Sequence, residues 1–188
     1  MGFTSILHEH QQCVAGLAEL AEAIEAVGML LAQTLRGGSK ILICGNGGSA
    51  ADAQHFAAEL IGRFEQERAA WPAIALTTDT SILSAIGNDY GFADVFARQV
   101  LGLAQKGDAL IGISTSGHSE NIVRAVEVAA TKGLATVGLL GRNGGLLANR
   151  VDRAIIVAHK RTARIQEAHI LILHYWAMSI ENQIGRSI

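Results

Sequence analysis

Two glycine- and hydroxyl-rich stretches hold the residues of this chain best suited to grip an anion. Ile43-Cys44-Gly45-Asn46-Gly47-Gly48-Ser49-Ala50 sets three glycines where the backbone must turn sharply. A helix starting near Ser49 would turn free N–H groups and the positive end of its dipole onto the same spot. The second stretch, Gly112-Ile113-Ser114-Thr115-Ser116-Gly117-His118-Ser119, packs the hydroxyls of Ser114, Thr115, Ser116 and Ser119 into six residues. Hydroxyls and backbone amides bind a phosphate monoester without an arginine clamp. Ser119 serves equally as a helix N-cap, with Glu120 in the first turn that the dipole favours. Either stretch alone is read as readily as structure; two together point to a phosphate site.

Acid–base chemistry has its own candidates. Ala53-Gln54-His55-Phe56-Ala57-Ala58-Glu59 places His55 and Glu59 four apart on one helix face. On a plain surface such a pair contributes a few tenths of a kcal/mol. Beside a pocket it supplies two metal ligands, or a general base and its orienting partner. Farther on, Gln166, Glu167, His169 and His174 interrupt an apolar helical stretch, where polar groups need partners or a function. Gln166 and His174 are about 12 Å apart along a helix axis. Gln166 is therefore expected at the helix mouth, or in a site shared between subunits. His169 is read as structural.

Strands and helices must bring these groups together. Apolar steps of three and four at Leu17, Leu20, Ile24, Val27, Leu31 and Leu35 predict one helix reaching Arg36, where Gly37-Gly38 ends it. Strands are expected at 40–44, 73–76, 108–113, 134–140 and 153–158. Helices are expected at 49–63, 81–87, 93–103, 119–132, 145–150 and 162–184. Short apolar strands alternating with helices predict a five-stranded parallel sheet covered on both faces, in an α/β, three-layer α-β-α sandwich. Ligands of such a sheet bind beyond the carboxyl ends of its strands, where both candidate loops lie. With no linker, charge block or repeat, the reading is one domain over 1–188. The long first and last helices exceed what so small a sheet can cover, so the helix over 1–36 is expected to pack in an oligomer.

Composition narrows the function. The 188 residues carry 15 basic and 17 acidic side chains, a formal net charge of −2. That balance argues against nucleic-acid binding. Charged residues make up 17% and apolar ones 49%, too apolar for a disordered chain. No apolar run approaches the roughly 18 residues of a membrane span, and the first residues lack a signal peptide's charged and apolar regions. Cys13 and Cys44 form no CxxC pair, which fits a reducing, cytoplasmic setting. Gly45-Asn46-Gly47-Gly48-Ser49-Ala50 satisfies a dinucleotide fingerprint, but the acidic residue expected after the next strand is replaced by Leu76-Thr77-Thr78. There is no GxxxxGK[ST], and Gly112-Ile113-Ser114-Thr115-Ser116 breaks the hydrolase elbow GxSxG at its final glycine.

Four fragments in order carry a resemblance: Gly45 through Glu59, Gly87-Asn88-Asp89-Tyr90-Gly91-Phe92, Ser114 through Ser119, and Arg164-Ile165-Gln166-Glu167. Over residues from about 40 to 183 the chain resembles the phosphoheptose isomerase family (sedoheptulose-7-phosphate isomerases) of the sugar-isomerase (SIS) superfamily. The resemblance implies a flavodoxin-like SIS domain and a homotetramer with active sites at subunit interfaces. It also implies interconversion of sedoheptulose 7-phosphate and D-glycero-D-manno-heptose 7-phosphate, feeding ADP-heptose and lipopolysaccharide synthesis. By position, Glu59 and His174 would be the acid–base pair, and one zinc ion per subunit would be held by His55, Glu59, Gln166 and His174. Asn46, Gly47, Gly48, Ser49, Glu59, Asn88, Asp89, Ser114, Thr115, Ser116, Ser119 and Gln166 would contact the sugar phosphate. The chain also resembles a non-catalytic tetrameric adaptor of the same fold, the replication-initiator-associating protein, in Arg63-Phe64-Glu65 and Ala163-Arg164-Ile165-Gln166-Glu167. That adaptor lacks the groups matching Glu59 and His174. Ala163 stands where some of the isomerases carry an Asp.

Overall fold

The computed structural model describes residues 2–185; Met1 and residues 186–188, the ends of the expected 1–188 domain, lie outside the described residues. Strands β1 (Ile41–Gly45), β2 (Ala73–Ala75), β3 (Ala109–Ser114), β4 (Ala135–Gly141) and β5 (Arg153–Val157) form one sheet, each within a residue or so of its expected span. Every pairing is parallel, in the order β2-β1-β3-β4-β5. Alternation along the strands sends Ile41 and Ile43 to one core and Leu42 and Cys44 to the other. Both faces are covered, which is why the strands read as unbroken apolar runs.

Helices α1 (Phe3–Ala15), α2 (Ala21–Arg36), α3 (Gly48–Ile61), α4 (Thr80–Asp89), α5 (Ala97–Leu103), α6 (Glu120–Thr131) and α7 (Thr162–Ile184) complete the layers. α2, α3 and α7 cover one face, α5 and α6 the other. The single helix expected to Arg36 is broken: a 3-10 turn over Gly16–Leu20 separates α1 from α2. Gly16 weakens the helix there, and the tighter turn takes Leu17 and Leu20 out of the α2 stripe. α2 buries Ile24, Val27, Leu31 and Leu35 in its own chain's core, whereas α1 has no buried residue. Trp176 of α7 donates its indole N–H to the Ile24 carbonyl at 2.9 Å, locking α7 to α2. The helix expected over 145–150 is only a 3-10 turn at Leu147–Asn149, because Gly144 and Gly145 enter it at φ +83° and +55°. The helix expected over 93–103 likewise divides, into a 3-10 turn at Phe92–Asp94 and α5.

Candidate active site

The sheet order reverses between β1 and β3, so their carboxyl ends, paired as Gly45 with Ile113, sit side by side at a topological switch point. The two candidate loops spring from those ends. Asn46 and Asn121 lock them together by exchanging amide hydrogen bonds, Asn46 Nδ2 to Asn121 Oδ1 at 3.0 Å and the reverse at 2.9 Å. Gly47 turns the first loop at φ +58°, and Ser49 N–H and Ala50 N–H donate to the carbonyls of Asn46 and Gly47. Those two donors are therefore consumed within the turn and do not face the ligand, as the bare dipole argument expects of them.

In the second loop the hydroxyls converge. Ser114 Oγ lies 3.0 Å from Ser119 Oγ and 3.5 Å from Ser116 Oγ, and it accepts the Gly117 N–H at 3.0 Å. Ser119 occupies the N-cap position of α6 but makes no side-chain cap hydrogen bond. Its hydroxyl lies in the cluster instead, so Ser119 does not act as a side-chain cap. Thr115, Ser116 and Ser119 are partly exposed, while Ser114 is buried beneath them. A hydrogen bond from such a hydroxyl to a charged phosphate contributes about 1.5–3 kcal/mol. Ser116→Ala and Ser119→Ala are thus each expected to raise KM for the sugar phosphate about tenfold, with kcat changing less. Unchanged saturation curves in both variants would remove the phosphate from this loop.

A second cluster forms where α3 meets α7. His55 Nε2 lies 3.3 Å from Glu59 Oε1 and 2.8 Å from His174 Nε2. Residues 119 positions apart are thereby brought into hydrogen-bonding contact. Phe64 also stacks on His174, ring centroids 5.6 Å apart. Glu59 is 20% exposed, screened from bulk water yet open to a ligand. Gln166 stands elsewhere on α7: its amide lies so close to Gly48 that a Cβ there would come within 2.2 Å of Nε2. It therefore borders the first loop, about 10 Å of helix axis from His55. His169 is fully buried and bonded to the Leu140 carbonyl at 3.0 Å, and burial lowers its pKa to about 4, so the ring is neutral and structural.

Asn88 and Asp89 end α4, exposed, with Asn88 donating to Asp89 Oδ1 at 2.8 Å. Among the described residues no hydrogen bond joins them to either loop. Sequence reasoning passed over Asn121, although a buried amide in the apolar stretch Ile122-Val123 was a usable signal. It also passed over Asp52, one turn before His55 on α3. Asp52 Oδ2 is buried without a hydrogen-bond partner. Burial pushes its carboxyl up to about 6, against an opposing pull from His55. A carboxyl raised in the folded state is most compatible with folding below its unfolded value, and stability falls as pH rises from near 4 through 6. Asp52→Asn is therefore expected to stabilise the protein by about 1 kcal/mol at pH 8, discounted for partial solvation, and not at pH 4. Equal denaturation midpoints for the two proteins at pH 8 would contradict this.

The structure thus holds two groups of chemistry-bearing side chains: hydroxyls at the carboxyl end of β3, of a kind that can bind an anion, and a carboxylate with two imidazoles where α3 meets α7, of a kind that can move protons. The family model of the SIS domain matches residues 7–141. A phosphoheptose isomerase from Nitratiruptor sp. is 57% identical over 169 residues, spanning 89% of this chain and 90% of its own length. Among solved structures, a phosphoheptose isomerase from Neisseria gonorrhoeae superposes with a TM-score of 0.90 at 45% identity, over 95% of this chain and 96% of that one. One from Francisella tularensis gives 0.93 at 39% identity, over 96% of each. The five-stranded parallel sheet and its helical layers are those of these structures, and the chain belongs to the phosphoheptose isomerase family of SIS-domain proteins.

Proposed function

We infer that the chain is an aldose–ketose isomerase that interconverts sedoheptulose 7-phosphate and D-glycero-D-manno-heptose 7-phosphate, the entry to ADP-heptose for lipopolysaccharide. The observation that carries this reading is the meeting of Glu59, His55 and His174 across two helices, in a chain 57% identical to a phosphoheptose isomerase. The Glu59 carboxylate takes the proton from C1 of the ketose, leaving an enediol, and returns it to C2 to give the aldose. His174 moves a proton between the oxygens on C2 and C1, so no net proton is gained or lost. The Ser114–Ser119 loop holds the phosphate end, with Asn46, Gly47 and Gly48 beside it and Gln166 bordering them; Ser49, buried and with its N–H donated to the Asn46 carbonyl, supports the turn from beneath. Asn88 and Asp89 are substrate contacts on this reading only if they act from a neighbouring subunit.

The donor chemistry suits zinc: two imidazole nitrogens and a carboxylate oxygen, all borderline or hard ligands. The 2.8 Å between His55 and His174 is a hydrogen-bond separation, and among the described residues no group of three His, Cys, Asp or Glu side chains is arranged to hold a metal ion. His55 is 44% exposed, and binding an ion there would require its ring to turn away from His174. His55, Glu59 and His174 would hold the ion, with Gln166 completing the set from a neighbouring subunit because its own chain seats it beside Gly48. When bound, zinc polarises the substrate carbonyl. A homotetramer is supported by Tyr90, Phe92 and Leu101, which are 56%, 64% and 55% exposed, and by α1 and α4, which bury nothing within the chain. A cytoplasmic location is consistent with two free cysteines and with the finding that no described helix is long and apolar enough to cross a membrane.

The test is a product assay. Purified protein with zinc should convert sedoheptulose 7-phosphate to a new phosphate monoester resolved by phosphorus NMR. The adaptor reading expects no product, and a null result in a folded, zinc-supplied preparation would reject the isomerase reading.

A further inference from the structure

The turn after α3 is tied down far more heavily than a surface loop requires. Three consecutive backbone N–H groups, those of Phe64, Glu65 and Gln66, donate to the Glu181 carboxylate at 2.9, 3.0 and 3.0 Å. Arg68 Nε adds a fourth donor at 3.2 Å, and both charged side chains are only 1% exposed. The rest of the Arg68 guanidinium reaches the carbonyls of Glu59, Leu60 and Gly62 at 2.5, 2.8 and 3.0 Å. These belong to the last turn of α3 and its cap, where carbonyls lack helical partners. Trp71 covers the guanidinium, 3.8 Å from its ring centroid.

A buried ion pair seldom stabilises a fold better than apolar packing of the same volume would. What this one holds in place is more telling. Glu181 stands seven residues after His174 on α7, two turns along the same face. The turn it clamps carries Phe64, whose ring lies on the His174 imidazole at an interplanar angle of 30°. Arg68 meanwhile grips the carbonyl of Glu59 itself. One buried pair thus braces the backbone under the carboxylate and the aromatic wall against the imidazole.

We infer that Glu181 and Arg68 are positioning residues for the isomerisation, fixing Phe64 over His174 and the end of α3 beneath Glu59. This rests on the assignment of His174 and Glu59 as the acid–base pair. Phe64 restricts rotation of the imidazole and keeps Nε2 aimed at His55. The hydroxyl loop lies on different elements, so loosening the clamp slows the chemistry and leaves substrate affinity in place.

Phe64→Ala is expected to lower kcat about tenfold with KM within about twofold, since small misplacements at a reacting centre are costly. Phe64→Tyr should restore kcat. Glu181→Gln should give the same split, and in both Phe64→Ala and Glu181→Gln the His174 ring-proton NMR resonances should lose the upfield ring-current shift caused by Phe64. Wild-type kcat in Phe64→Ala, or an unshifted His174 signal in a folded Glu181→Gln, would overturn the inference. If Glu181→Gln does not fold, the Phe64 pair decides alone. His174→Gln with wild-type kcat would instead sink the underlying acid–base assignment, whereas an inactive His174→Gln beside an unimpaired Phe64→Ala would refute the positioning role only.

Discussion

Glu59→Gln is expected to lower kcat for heptose-phosphate isomerisation by about a thousandfold or more, within the range lost when a general base is removed. The substitution is isosteric, so it keeps the volume and a hydrogen-bonding oxygen while abolishing the group that accepts a carbon-bound proton. Stability should be nearly unchanged. The Glu59 side chain is 20% exposed and its ion-pair contact is with His55 one turn earlier, so no buried charge loses its partner. The Arg68 contact is with the backbone carbonyl, which the variant retains. In D2O the wild type should wash deuterium into C1 of recovered ketose and C2 of the aldose, and the variant should not. Full turnover, or undiminished deuterium incorporation, would remove Glu59 from the proton transfer.

The second large effect is on the backbone of the hydroxyl loop. Gly117→Ala should destabilise the protein by about 3 kcal/mol or more, through strain and overpacking together. Gly117 has φ +67°, and an added Cβ would lie 1.9 Å from the Gly144 carbonyl oxygen and 2.7 Å from the Gly145 nitrogen. Both obstacles are main chain, so no rotamer change relieves them. The Leu147 N–H already donates to the Gly117 carbonyl at 3.1 Å, which pins the loop against that turn. Gly47 provides the comparison: its φ of +58° is equally left-handed, but a Cβ there meets nothing within 4 Å. With ψ −122°, Gly47→Ala should therefore cost only the conformational strain, about 1–3 kcal/mol. Urea midpoints equal for the two variants would show that the contact with Gly144 is not what requires glycine. A folded remnant of Gly117→Ala should bind substrate poorly, because Ser114 and Ser116 hydrogen-bond to the N–H groups of Gly117 and His118 and lose their orientation with them.

The two loops and the His55–Glu59 pair stood out because their signals are local, whereas the acid–base pairing of Glu59 with His174 came only from the family resemblance. Glycine at a forced turn, hydroxyls crowded at a strand end, and His55 and Glu59 spaced four apart all declare themselves within one element. The strands were equally plain, since burial on both faces makes each a short apolar run, and α7 came out over its full expected span of 162–184. Two of the helix expectations that failed did so at glycines acting against an apolar pattern; the third, over 93–103, divides between Asp94 and Ala97 without one. Gly16 divides α1 from α2, and Gly144 with Gly145 reduces an expected helix to one 3-10 turn.

Tertiary structure alone decided which distant groups meet. Periodicity assigns a residue to a face but not that face to a neighbour, so nothing local said that His174 would lie against His55 while Gln166, on the same helix, would lie against Gly48. Nor could it say that Asn121 would close on Asn46, or that Glu181 would collect three N–H groups from a turn more than a hundred residues earlier. Those pairings follow from the parallel packing of α3 and α7 and from the sheet reversing order between β1 and β3. Both are consequences of how the whole chain buries its apolar surface, and a residue's type and its near neighbours carry no record of them.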